Sequence, residues 1–93
     1  DNRKPELVGV KVAYPSASGR AQDSFSAISE LAYSIDGGDW QPFAPKDGIF
    51  DSATEDFSIR LPSGLAAGAH SLAVRAVDAA DNVGAVQLTF RIR

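Results

Sequence analysis

The chain contains neither cysteine nor methionine among its 93 residues. Without cysteine there is no disulfide framework, no thiolate metal site and no cysteine nucleophile, so a hydrophobic core must carry the fold unaided. No apolar run approaches the ~20 residues that span a bilayer as a helix, and no charged-then-apolar leader opens the sequence, so helical membrane insertion is not expected. Clustered positive charge is missing too. Nine basic residues stand against twelve acidic ones, the net charge is −3, and nothing in the chain matches a row of phosphates, so nucleic acid is not an expected partner. Helical periodicity is absent throughout.

What is present is an ordinary globular composition, 44% hydrophobic and 23% charged, in a length that forms one core burying somewhat more than ~60% of the unfolded surface. The polar opening "DNRKP" reads as the tail of an interdomain linker. The expected division is therefore residues 1–5 as linker and 6–93 as a single domain.

Two-residue alternation recurs between clusters of Gly, Pro, Asp, Asn and Ser, the pattern of half-buried antiparallel strands. A first strand over 7–14 puts Val8, Val10, Val12 and Tyr14 on one face, and Pro15 ends it. A second is expected over 20–26 with Ala21 and Phe25 inward. Leu31, Tyr33 and Ile35 share a face of the third, and the short 39–43 run pairs with it. Phe57, Ile59 and Leu61 mark the fifth strand, Leu72, Val74 and Ala76 the sixth over 70–78, and Val86, Leu88, Phe90 and Ile92 the seventh. Seven short strands at this spacing predict an all-β, seven-stranded antiparallel β-sandwich.

The segments "ISELAYSIDGGDW" and "LAAGAHSLAVRAVDAADNVG" resemble the fibronectin type III and immunoglobulin-like modules of large extracytoplasmic bacterial proteins. The best-defined part is the run Leu65, Gly68, His70, Leu72, Val74, Ala76, similar to the family's Leu-x-x-Gly-x-Tyr-x-x-Val approach to its sixth strand. His70 stands where such domains place a corner tyrosine, and Asp81 stands where related repeats read Ala-Gly-Asn. The resemblance implies an accessory or spacer domain, outside the cytoplasm, that orients or docks neighbouring domains of the same chain.

The chemistry-bearing residues give little beyond this. Catalysis needs a base beside a nucleophile, and the single histidine, His70, opens a strand with no Gly-x-Ser-x-Gly elbow in the chain. Glu55 and Asp56 are adjacent on a strand and point to opposite faces, so they cannot flank one bond. Asp36 and Asp39 flank a Gly-Gly turn, where Asp is turn chemistry. Asp47, Asp51, Glu55, Asp56, Asp78 and Asp81 have no spacing of a calcium loop. No cofactor, no metal and no enzymatic activity are expected.

The remaining question is "YSIDGGDW". A two- or four-residue loop gives Trp40 the parity of the apolar face, and a core tryptophan is the expectation; only an odd loop turns the indole outward. The 44–55 loop carries Ile49 and Phe50, expected to tuck under the sandwich edge. The competing reading is a carbohydrate- or protein-binding module that exposes Trp40, Phe43 and Phe50 as an aromatic strip. The exposure of Trp40 separates the two.

Overall fold

The computed structural model describes residues 4–23, 26–46, 48, 52–62 and 64–92. Seven antiparallel strands form the molecule: β1 (Glu6–Ala13), β2 (Ser16–Gln22), β3 (Ile28–Ile35), β4 (Gln41–Phe43), β5 (Thr54–Arg60), β6 (Gly68–Asp78) and β7 (Val83–Ile92). They make a three-stranded sheet in the order β1-β2-β5 and a four-stranded sheet in the order β4-β3-β6-β7.

The alternation that predicts the strands also fills the space between the sheets. Phe57, Ile59, Ala17 and Ala21 from the smaller sheet face Leu31, Leu72, Val74 and Ala76 from the larger, and Ile28 and Leu61 close the core; all are buried. Phe57 packs at a tilt on Phe43, which in turn meets Tyr33. Burying side chains of this size is the main stabilising term in a domain without staples.

Two expectations fail in the smaller sheet. In β1 the register with β2 shifts between Val8 and Lys11, where Gly9 takes φ +60°. A bulge exchanges the two faces upstream of it. Leu7, rather than Val8, therefore joins Val10, Val12 and Tyr14 against the core. The second strand runs over 16–22 rather than 20–26, because β1 and β2 are joined by the two-residue turn Tyr14-Pro15 and pair from Ala13↔Ser16 onward. Phe25 lies outside the described residues.

At the open side of the sandwich Pro5 is buried and its carbonyl lies directly against Gly84 of β7. Any Cβ at position 84 would meet that oxygen, so the approach of β1 to β7 requires glycine there.

Candidate functional site

Trp40 sits beyond the tight turn that closes the β3–β4 hairpin. Asp36 and Gly37 both have positive φ, 52° and 74°, and the Gly38 amide donates to the Ile35 carbonyl at 2.9 Å, as in a two-residue type I′ turn. Left to itself this turn pairs Trp40 with Tyr33 and sends the indole into the core. Tyr33 instead pairs with Gln41, Ala32 with Pro42 and Leu31 with Phe43. One extra residue lies between Gly38 and Gln41, and the Ser34 hydroxyl, donating to the Gly38 carbonyl at 2.8 Å, holds that carbonyl to the side chain of β3. The slip reverses the parity of everything before Gln41. Trp40 points outward and is 39% exposed.

The expectation of a core tryptophan is thereby corrected. Phe43 lies three positions from Trp40, on the opposite face of β4, and packs against Tyr33 and Phe57. Phe50 lies outside the described residues, as do Ile49, Asp47 and Asp51. Trp40 therefore does not share a surface with Phe43.

Its companions come from neighbouring strands. The Arg75 guanidinium, projecting from the outer face of β6, lies 4.6 Å from the centre of the indole ring, a cation–π geometry. Arg75 is also 3.8 Å from the Glu30 carboxylate of β3. Between them, Ala32 is in register with both Pro42 and Arg75 and is buried despite facing outward. The result is a flat patch of Trp40, Pro42, Arg75 and Glu30 on the outer face of the larger sheet. It offers one aromatic face, one fixed cation and one carboxylate, the chemistry of stacking and hydrogen bonding rather than of bond cleavage.

The second cluster lies at the end of the sandwich. Nδ1 of His70 is 2.6 Å from an Asp36 carboxylate oxygen, and Nε2 is 2.7 Å from the Ala66 carbonyl. The other Asp36 oxygen accepts the Ser71 amide at 2.8 Å. The hydrogen bond to Asp36, reinforced by that to Ala66, raises the His70 pKa above its ordinary value. Reciprocally, the bond from His70 and then that from Ser71 hold Asp36 below the usual carboxylate range. Both ring nitrogens face acceptors, so the imidazolium donates from each, and its ring stacks on Phe90 at 5.6 Å. An Asp–His pair of this kind resembles two members of a triad, but the nitrogen a nucleophile would use is committed to Ala66. His70 is a corner residue, bonded four positions upstream, as its position suggested.

Asp78 is the fully buried last residue of β6, where the expected strand 70–78 also ends. Its carboxylate accepts the amides of Ala80 and Asn82 and the Asn82 side-chain amide, at 2.8 to 3.1 Å. Desolvation pushes its pKa up, but hydrogen bonds from the Asn82 backbone and side chain and from the Ala80 amide outweigh it, and the net shift is downward. The carboxylate closes the β6–β7 turn, in which Asp81 adopts φ +67°. Glu55 and Asp56 lie in β5, where Asp56 pairs with Arg20 at 2.6 Å. Among the described residues no three His, Cys, Asp or Glu side chains gather as a metal site.

No family model matches the chain, and no curated protein matches it either. Solved structures do. The PKD1 domain of Vibrio anguillarum Epp superposes with a TM-score of 0.62 at 14% identity, over 100% of this chain and 98% of that one. The PKD1 domain from the Vibrio cholerae metalloprotease PrtV gives 0.61 at 17% identity, over 97% and 98%. Both of these are PKD domains, which are immunoglobulin-like sandwiches, and the likeness supports that fold without singling out fibronectin type III: the chain is an immunoglobulin-like β-sandwich.

Proposed function

We propose that the chain is a non-catalytic accessory module of a larger extracytoplasmic bacterial protein, where it spaces, orients or docks neighbouring domains. Its support is the sandwich itself, which resembles PKD domains of Vibrio proteins, one of them a metalloprotease. The commitment of both His70 nitrogens adds to this, since it withdraws the chain's one histidine from service as a general base.

A second reading is favoured by a specific observation, the outward Trp40. An exposed indole held over a fixed guanidinium is a preorganised platform, and its function is contact with a carbohydrate or protein surface. Trp40→Ala separates the readings. In either case the indole emission is red-shifted and quenched by iodide, and the substitution shifts stability by no more than about 0.5 kcal/mol, as surface changes do. Under the contact reading the variant loses retention on insoluble polysaccharide or on fibrous protein in co-sedimentation. Equal retention of both proteins, or none by either, leaves the spacer reading alone. A loss of several kcal/mol on substitution would contradict the exposed position itself.

A further inference from the structure

The two sheets present four edge strands, and three of them are guarded. β1 carries the Gly9 bulge and a lysine at position 11. β4 is three residues long and contains Pro42, whose missing N–H falls on the outward side of the Leu31↔Phe43 and Tyr33↔Gln41 pairs. On β5 the outward carbonyl of Asp56 is taken by the Lys46 amide at 2.9 Å. Bulges, proline, brevity and covering segments are the devices by which proteins prevent edge pairing.

β7 is neither short nor interrupted, and among the described residues the start of β1 reaches it at Gly84. It runs ten residues in unbroken register with β6, from Val77↔Val83 to Gly68↔Ile92, without proline or bulge, and Arg91 is its one charge. Beside its first residues an open cleft of about 810 Å³ separates it from β1. The Asp78 amide donates to the Asn82 carbonyl at 3.0 Å, which fixes the phase of the ladder. Antiparallel pairs alternate, so residues 84, 86, 88 and 90 turn their backbone groups to β6, and 83, 85, 87, 89 and 91 turn theirs away. Those outward groups call for an extended strand.

We infer that this edge pairs with the same edge of a second copy, antiparallel about a twofold axis at Gln87. This register engages all five outward residues: 83 with 91, 85 with 89, and 87 with itself. On the inner face it sets Val86 beside Leu88 of the other copy, apolar against apolar, while Gly84, already covered by Pro5 of its own chain, lies opposite Phe90. On the outer face Arg91 meets Val83 and never its own counterpart, and the two Gln87 amides face each other. The eight strands then form one continuous sheet with both Trp40 patches on the same side. Seven strand spacings, roughly 34 Å, separate the two β4 strands. Two patches on one rigid sheet raise avidity without any new contact to a ligand.

Sedimentation equilibrium from micromolar to millimolar protein tests this. The weight-average mass is expected to rise from one chain to two, while amides 85, 87, 89 and 91 gain hydrogen-exchange protection as concentration increases and 84, 86, 88 and 90 do not change. Gln87→Pro removes an outward N–H that no bond among the described residues uses, and Gln87→Lys apposes two ammonium groups; each is expected to weaken dimerisation at least tenfold. The melting temperature at micromolar concentration shows whether each variant folds, and the lysine variant, which leaves the backbone alone, decides if the proline variant does not. Ser58→Lys, on the guarded β5 edge, keeps the dimer. A mass of one chain at every concentration, a dimer that survives Gln87→Lys, or one lost equally in Ser58→Lys overturns the inference.

Discussion

The two hairpins of the larger sheet, β6–β7 and β3–β4, are both written in alternating residues, and only one of them obeys its own alternation. Along β6–β7 ten pairs run without a shift, and every residue lies on the face its parity assigns. Along β3–β4 the expected turn forms, yet one residue beyond it slips and Trp40 exchanges core for solvent. The difference lies on the far side of each turn. The β6–β7 turn is closed by a buried carboxylate that binds its amides and leads directly into the ladder. The β3–β4 turn gives way to Gly38, whose carbonyl is drawn to Ser34, and the ladder resumes only at Gln41. Parity is a long-range rule carried by local hydrogen bonds, and a single side-chain hydroxyl is enough to interrupt it.

The largest effect should come from the regular hairpin. Leu72→Ala, at a fully buried position, is expected to cost about 2 to 5 kcal/mol in denaturant unfolding, a large fraction of the stability of so small a domain. A cost below about 1 kcal/mol would mean that the core is not packed as described.

Next comes the carboxylate that closes its turn. Asp78→Ala strands two backbone amides and should lower Tm by on the order of 10 °C. Because the folded pKa is depressed, the contribution is complete above the ordinary carboxylate value near 3.8 and is lost as pH falls through the lower folded one. Melting curves of the wild type should therefore fall faster with acid than those of the variant. Parallel curves would show that the Asp78 charge carries none of the stability of the turn.

The clamp at the sandwich end should give a smaller, oppositely directed pH dependence. The folded pKa of His70 is raised, so its stabilisation is complete below the ordinary value of 6.5 and is lost as pH rises through the folded one. Asp36 is depressed, so its share persists above 3.8 and disappears in acid below its folded value. Between these limits the pair is ionised and the wild type should exceed His70→Ala in Tm by a few degrees, a margin that narrows at alkaline pH. A margin independent of pH would show that the ring acts by packing on Phe90 alone.

The smallest change sharpens the comparison most. Ser34→Ala releases the Gly38 carbonyl at a cost of about 1 kcal/mol, and it should alter the emission and quenching of Trp40 by freeing the bulge. An unchanged indole spectrum would place the cause of the slip elsewhere.

These elements differ in how plainly the amino-acid sequence specifies them. The core of β3, β5, β6 and β7 is legible because Leu31, Phe57, Leu72 and Val86 each belong to a run of apolar residues at period two that no glycine interrupts. The faces of β1 are not, since Gly9 looks like any small strand residue until its positive φ makes it a bulge. The second strand is misplaced because the serines at 16 and 18 carry no apolar signal, although Ala17 between them is buried. At the candidate site His70 is identifiable as a corner, but its partner Asp36 is 34 positions away and reads as turn chemistry. Arg75 has no signal at all: nothing in "AVRAVD" says which aromatic a guanidinium will cover.

The contact of Pro5 with Gly84 has a consequence for how the molecule transmits position. It ties the start of β1 to the start of β7, and β7 then runs ten residues, about 33 Å, before Ile92. Polypeptide entering at β1 and polypeptide leaving after β7 thus depart from opposite poles of a body 42 Å long and 24 by 21 Å across. Anything joined to the two ends would be held apart by the length of the sandwich rather than brought side by side, and a pull on both ends would run along the strands, loading the β6–β7 ladder in shear across all its rungs at once. The molecule is in this sense a strut with a polarity, stiff along the direction in which it would be asked to bear tension.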